Sequence, residues 1–325
     1  MTAQTGDTID ILLATYNGEA FLEEQLDSIA AQTHGDWQLI ARDDGSSDRT
    51  AAILDAFRAR HSDKVVVLRD GDGNLGLVQN FSRLMEVSDA PYAAFCDQDD
   101  VWMPEKLELS LAKMRELERE HGAETPLLVF TDLTVVDEGL NVIHDSFWHY
   151  ANLRPDRCNS LNRLLLHNVV TGCTALMNGP LVKKGVPIPS DAHVHDWWVV
   201  LVASTFGKAA YISRPTVRYR QHGRNMLGAS PGTLFVHLIR LPMYLFKIVF
   251  ERDRSRRRVQ KMYRQGEAFY RRYRDHLEDD VRRDLAVFVD IPKRHFLVRV
   301  RALQKSAFMP IGFFNSIRHI LYSHE

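Results

Sequence analysis

Cysteine is scarce in this chain. Only three of the 325 residues are cysteine, Cys96, Cys158 and Cys173, and their spacing offers neither a C-x-x-C zinc pair nor an even-numbered disulfide framework. A zinc ribbon and a disulfide-stapled scaffold are excluded, and a reducing compartment is expected. Long apolar runs are also missing. The richest stretch, Leu234 to Phe250, is interrupted by His237, Arg240, Pro242 and Lys247, whereas a membrane-crossing helix needs about 20 apolar residues. The first ten residues, MTAQTGDTID, have neither the basic patch nor the apolar run of a secretory signal. A cytoplasmic location is therefore expected, with peripheral attachment to the inner face of the plasma membrane left open. No repeat or low-complexity tract occurs, and 45% hydrophobic against 26% charged residues excludes disorder as the main state.

What the chain does have is charge that is unevenly placed. The 41 basic and 42 acidic residues nearly cancel, yet the segment from Leu234 onward holds 20 basic and 10 acidic residues. Its local charge of +10 leaves −11 for residues 1–233. A basic amphipathic surface of that kind suits an anionic lipid face or another anionic partner as well as it suits packing on the main domain.

Between residues 9 and 96, short β-rich runs alternate with amphipathic ones. The stretches 9–14, 37–41, 65–68 and 92–96 read as strands, and 20–32, 49–60 and 77–87 read as helices. Single helices between strands imply right-handed crossovers, hence a mostly parallel central sheet flanked by helices, the α/β nucleotide-binding type. Ser46 or Ser47 is expected to cap the second helix, and Pro104 with Glu105 to open a longer one ending near Glu120. After Pro126 the rhythm is irregular, with strand-like runs at 127–131 and 169–177 and a helical one at 161–167. One α/β domain over residues 1–230 is expected, followed by a basic helical region over 231–325 broken near Pro242, Pro292 and Pro310.

The most informative run is Phe95-Cys96-Asp97-Gln98-Asp99-Asp100-Val101-Trp102. It places three carboxylates at the end of a strand, the edge where open α/β sheets bind ligands. Crowded carboxylates raise one another's pKa unless a cation shares them, so Mg²⁺ or Mn²⁺ is expected. A helix cap would need one acid, not three. Asp43 and Asp44 end the second strand, and Thr15, Tyr16 and Asn17 end the first, so three strand ends converge on one crevice. Asp43 and Asp44 could equally serve an Asx-turn and cap.

Three further features stay open on the residues alone. Gly71, Gly73 and Gly76 satisfy G-x-G-x-x-G, which points to a nicotinamide-dependent oxidoreductase, although the match follows the third strand rather than the first. Asp196, between His195 and Trp197-Trp198, opens a helix and fits either a desolvated general base or a cap above core tryptophans. His222 fits either a surface loop or a metal shell begun by Asp99.

Taken in order, seven segments resemble the family 2 glycosyltransferases of GT-A fold, in their rhamnosyltransferase-like branch of bacterial surface polysaccharide synthesis. They are ATYNGEAFLEEQLDSIAAQT (14–33), RDDGSSDRT (42–50), GNLG (73–76), FCDQDDVWMPEK (95–106), NVVTGCTALMN (168–178), HDWWVVLVAS (195–204) and YRQHGRN (219–225). The resemblance implies that Asp97-Gln98-Asp99 is the family's DxD motif, with Asp97 on the nucleotide ribose and Asp99 on the metal. Asp43 or Asp44 would meet the base, and Thr15, Tyr16, Asn17, Asn74 and Gln98 would line the same pocket. Asp196 would be the catalytic base, with His195 standing where the family carries Glu, and His222 would complete the metal shell. Trp102, Thr171, Gly172, Cys173, His195 and Trp197 would face donor sugar or acceptor.

The activity so implied is inverting, metal-dependent transfer of a sugar, rhamnose from a dTDP carrier or a UDP-linked sugar, to a glycan or lipid-linked glycan acceptor. Nucleic acid is not an expected partner, and homo-oligomer formation stays open. A catalytically idle nucleotide-sugar-binding protein is the second reading, against which the intact acid cluster and Asp196 argue.

Overall fold

Seven consecutive buried residues, Ile9–Thr15, form strand β1 at the heart of the fold. Leu12 and Ala14 enter one core layer while Ile9, Ile11 and Leu13 enter another, so both faces must be covered. The computed structural model describes residues 6–223 and 252–293. After β1 come α1 (Leu22–Ala30), β2 (Trp37–Asp43), α2 (Thr50–Arg60), β3 (Val65–Leu68), α3 (Leu77–Val87), β4 (Tyr92–Cys96), β5 (Val101–Trp102) and α4 (Lys106–His121). Next are β6 (Leu127–Val136), β7 (Val142–His144), α5 (Phe147–Tyr150), α6 (Leu161–Leu164), β8 (Leu176–Asn178), α7 (Gly179–Gly185), α8 (His195–Phe206) and β9 (Lys208–Arg220). Helices α9 (Arg252–Tyr273) and α10 (Asp279–Asp290) follow.

The strands make one sheet of order β3-β2-β1-β4-β8-β6-β9-β5, with β7 paired to β6. Strands β1 to β4 are mutually parallel, as the alternation predicts, and β6 runs parallel to β9. Past β4 the sheet is mixed, because β8 inserts antiparallel to both β4 and β6. It arrives through irregular chain rather than a crossover helix, and only a crossover delivers a parallel neighbour. The strand expected over 169–177 is accordingly short, its first half given to a turn at Gly172–Thr174. The second helix takes its cap from Asp48, whose carboxylate accepts from the Thr50 N–H and hydroxyl, rather than from Ser46 or Ser47.

Helices α9 and α10 pack on the α/β domain. Phe269, Leu285, Phe288 and Ile291 are fully buried, and the Phe269 ring lies 5.5 Å from Trp198 of α8. The Gln265 side-chain Oε1 accepts from His193 N at 2.7 Å, and the Tyr273 hydroxyl donates to Lys184 O at 2.6 Å. These side chains join the same apolar layer as α3, α7 and α8, so the expected boundary near residue 230 does not separate two cores. Phe269→Ala should therefore cost about 3–5 kcal/mol, the usual range for emptying a filled aromatic site. A denaturant midpoint unchanged from wild type would show that α9 merely rests on the surface. Among the described residues no helix is long and apolar enough to cross a membrane. The apolar stretch 234–250, and the stretches 296–301 and 313–322 in which aromatics interleave with arginine, lie outside the described residues.

Candidate active site

The parallel register brings the three strand ends together. Thr15 pairs with Asp43 across β1 and β2, and Leu13 pairs with Cys96 across β1 and β4. The Thr15 hydroxyl donates to Asp43 Oδ1 at 3.0 Å, and Asn17, at φ 48°, accepts from Ser47 N through its side-chain Oδ1 at 2.9 Å. Gln98 ties the acid loop to β1: its Oε1 accepts from Tyr16 N at 2.8 Å and its Nε2 donates to Tyr16 O at 3.0 Å. Gly18 leaves room for that clamp, since a Cβ there would overlap the Gln98 amide. Gly18→Ala should displace the flexible Gln98 side chain, preserve the fold and raise the donor KM several-fold at nearly unchanged kcat. An unaltered KM would dissociate the clamp from donor binding.

Asp43 and Asp44, equivalent in sequence, separate in the structure. Asp44 is 3% exposed and accepts from Arg42 Nη1 at 2.7 Å and from the Leu75 and Gly76 amides at 2.7 and 2.8 Å. Arg42, itself buried, also grips Asp70 through Nε at 2.8 Å, which holds the Asp70 carboxyl below its ordinary range. Asp44 is thus a structural anchor, and Asp43 is the one that borders an open cleft of about 340 Å³ with Val67, Leu68, Arg69 and Gly71. The glycine loop is also accounted for. Its amides at the start of α3 are held by a fixed carboxylate, where a dinucleotide site would leave them for a pyrophosphate, and this removes the oxidoreductase reading. Asn74 lies exposed on that loop. Asp44→Ala would strand a buried guanidinium and two amides, with an expected loss of about 3 kcal/mol or more in chemical denaturation.

The acid loop is dense. Asp99 Oδ2 lies 2.8 Å from His222 Nε2, and the imidazole packs against Phe21 at 4.8 Å. Asp100 is fully buried, with Oδ1 accepting from Arg220 N at 3.1 Å and Oδ2 lacking any partner among the described residues. Arg220, absent from the expected site residues, fastens the loop: its Nε donates to Asp99 O at 2.9 Å, and its other nitrogens reach Glu138 O and Glu24. Burial, then the charges of Asp99 and Asp196, push the Asp97 carboxyl up to about 8.

Such a cluster fits a divalent cation. Donor atoms of Asp97, Asp100 and Cys173 lie within 4.8 Å of one another. Burial, chiefly, raises the Cys173 thiol well above its usual range, leaving it a protonated soft donor that suits Mg²⁺ or Mn²⁺ poorly. Asp99 and His222, already in contact and nearer the open face, are the better pair, with Asp97 beside them.

Asp196 enters from the first turn of α8. Its Oδ1 accepts from Asn168 Nδ2 at 3.2 Å and from Trp197 N at 2.6 Å. Burial lifts its carboxyl to about 7, and it is close enough to raise Asp97 in turn. A carboxylate with that affinity for protons, held by an amide on one side, can accept a proton near neutrality.

Several expected contacts turn out to be supports. His195 is 4% exposed, stacked on Phe81 at 3.8 Å and edge-on to Phe95 at 4.6 Å, and burial lowers it to about 3. It props Gly172, where a Cβ would strike its Nε2. Trp102, Cys173 and Trp197 are equally enclosed, at 2%, 0% and 4% exposed, and the Trp197 indole donates to Leu164 O at 2.5 Å. None of the four side chains lines the open cleft. Of the six, Thr171 and Gly172 remain at the Asp196 turn, and Gly172 supplies a backbone hydrogen bond to the Asp196 carboxylate.

Comparison with known proteins agrees with this architecture. Residues 10–123 match the family described as glycosyl transferase family 2. The dTDP-rhamnosyl transferase RfbG of Shigella flexneri is 29% identical over 231 residues, covering 67% of this chain and 74% of its own. Among solved structures, S. aureus TarS 1-349 in complex with UDP-GlcNAc superimposes with TM-score 0.56 at 13% identity, over 97% of this chain and 79% of TarS 1-349. The mannosyltransferase PcManGT from Pyrobaculum calidifontis, in complex with GDP-Man and Mn²⁺, gives 0.51 at 16% identity over 92% and 72%. The chain spans 56% of two rickettsial glycosyltransferases and 47% of a longer TarS chain. Residues 10–123 thus match the glycosyl transferase family 2 model, within a chain that shares the GT-A fold of these solved structures.

Proposed function

We propose that the chain is an inverting, metal-dependent glycosyltransferase that moves a sugar, rhamnose from dTDP-rhamnose, onto a glycan or lipid-linked glycan of surface polysaccharide. The observation that carries this reading is the meeting of Asp196, a buried carboxyl raised to about 7, with the Asp97–Asp99–His222 group at three converging strand ends. The rhamnosyl choice is supported by the similarity to RfbG, and a cation by the crowding of the acids.

In this reading Asp43 and the cleft beside it receive the base, while Asp97 and the Gln98-clamped loop hold the ribose and diphosphate. Asp99 and His222 would hold Mg²⁺ or Mn²⁺, which would supply Lewis-acid stabilisation of the leaving diphosphate. Asp196 takes the proton from the acceptor hydroxyl as that oxygen attacks the anomeric carbon and the sugar–phosphate bond breaks. One displacement inverts the anomeric centre. Retention would need a nucleophile under the sugar, and the acids here are committed to cation, ribose and base. A screen of nucleotide sugars for metal-dependent release of nucleoside diphosphate tests the donor, and NMR of the product tests the stereochemistry. Release from no donor, or a product that keeps the donor's configuration, would overturn the reading.

The seating of the enzyme beside a membrane belongs to the same proposal. It is supported by the +10 charge from Leu234 onward, and co-sedimentation that ignores anionic lipid content would refute it.

A further inference from the structure

The Asp196 carboxylate is placed by two short segments of chain, and α9 grips both. One segment, 184–194, leads into α8, which opens as Trp198 N donates to Val194 O at 3.2 Å. The other, 161–168, ends in the Asn168 amide that donates to Asp196. Gln265 of α9, 1% exposed, meets the first segment just before the acid, its Oε1 accepting from His193 N at 2.7 Å. Gly266, next to it, meets the second: a Cβ there would stand 3.6 Å from Leu165 Cδ2 and 2.5 Å from Phe288 Cε1. Leu164, beside Leu165, accepts from the Trp197 indole. Farther along α9, Arg272 donates to Val186 O and Pro187 O, and the Tyr273 hydroxyl donates to Lys184 O. Helix α3 holds the same segment at Ile188, whose N–H donates to Ser82 Oγ at 2.9 Å and whose carbonyl accepts from Gln79 Nε2 at 3.0 Å. The run into α8 is thus pinned to two helices along its length.

We propose that Gln265 is a positioning residue for glycosyl transfer, its hydrogen bond to the His193 N–H setting the start of α8 and with it the place of the Asp196 carboxylate. This role rests on the transferase reading, in which Asp196 is the base. The His193 N–H lies ahead of the helix and has no intrahelical acceptor, so an outside group must meet it. Gln265 does so from a buried place on α9. Asn168 and Trp197, whose amides fix the Asp196 carboxylate, belong to the two segments that α9 holds. A shift of this turn would therefore move the acid together with its hydrogen bonds. Proton transfer needs the base within hydrogen-bond reach of the acceptor hydroxyl, and a misplacement of about 1 Å can cost about 10²-fold in rate. The Gln98 clamp and Asp43 lie on other elements, so donor binding stands apart from the effect. Gln265 acts through the backbone of this turn and not on substrate.

The test removes the acceptor and keeps the volume: Gln265→Met in the full chain, alone and together with Asp196→Asn. Alone it should lower kcat about tenfold with donor KM within about twofold of wild type. Amide exchange at His193 should quicken, since its N–H has lost its acceptor. On top of Asp196→Asn it should cost less than about twofold more, because residues that act through one another do not add. Should the Met protein fail to fold, Gln265→Asn, one methylene too short to reach His193, carries the same test. A loss confined to donor KM, or a loss of kcat that is undiminished on top of Asp196→Asn, would overturn the positioning role. A wild-type kcat in the folded Gln265 variant beside a disabled Asp196→Asn would overturn that role alone, whereas wild-type turnover in Asp196→Asn itself would remove the base and count against the transferase reading.

Discussion

Replacing Asp196 by Asn should lower turnover about 10³-fold, within the range of a lost general base, while nucleotide affinity stays at the wild-type level. The substitution is nearly isosteric. An amide oxygen can still accept from Asn168 and Trp197, so the start of α8 keeps its hydrogen bonds and only the proton-accepting capacity is lost. The pH profile sharpens the expectation. Burial raises this carboxyl to about 7, and a base works only when deprotonated, so wild-type turnover should fall about tenfold per unit as pH drops below that value. The Asn variant should lack this acid limb. A variant with wild-type rates, or with the same acid limb, would remove Asp196 from the proton transfer.

Removal of the cation should cost about as much. Chelation, or Asp99→Asn, is expected to reduce turnover about 10³-fold, since a Lewis acid at a departing diphosphate contributes several kcal/mol. The two perturbations should differ in reversibility: added Mn²⁺ restores the chelated wild type and leaves the variant low. The sign of the pH effect follows from Asp97, whose carboxyl sits at about 8 through burial and the charges of Asp99 and Asp196. Below that pH a proton competes with the cation, so apparent metal affinity should weaken as the solution is acidified. Activity undiminished by chelator would contradict the roles given to Asp99 and His222.

Much of this site is written locally in the chain. Buried parallel strands show as short apolar runs between helical stretches, and their ends fall one residue before Tyr16, at Asp43 and one residue before Asp97, so the crevice could be placed from periodicity. Contacts that depend on distant chain could not. Asp43 and Asp44 are neighbours of the same type, and only the return of the glycine loop over Arg42 decides which one is consumed. Arg220 is one more arginine in a strand until its fan of bonds to Asp99, Glu138 and Glu24 is seen; its place two residues before His222 is the one local signal. The burial of His195 could not be read locally, because the rings that enclose it, Phe81 and Phe95, come from distant parts of the chain. For the C-terminal helices the sequence left packing on the main domain and surface attachment both open. Charge dominates their composition, yet a spacing of three to four residues puts Met262, Phe269 and Tyr273 into the common core.

The most direct measurement is a phosphorus NMR time course of dTDP-rhamnose with the full chain and Mg²⁺, run in parallel with Asp196→Asn at equal nucleotide occupancy. The expected result is release of dTDP by wild type, its arrest by chelator, and loss of nearly all release in the Asn protein. Release at equal rates by both proteins, or no difference with and without the cation, would contradict the assignment of Asp196 and the acid loop to glycosyl transfer.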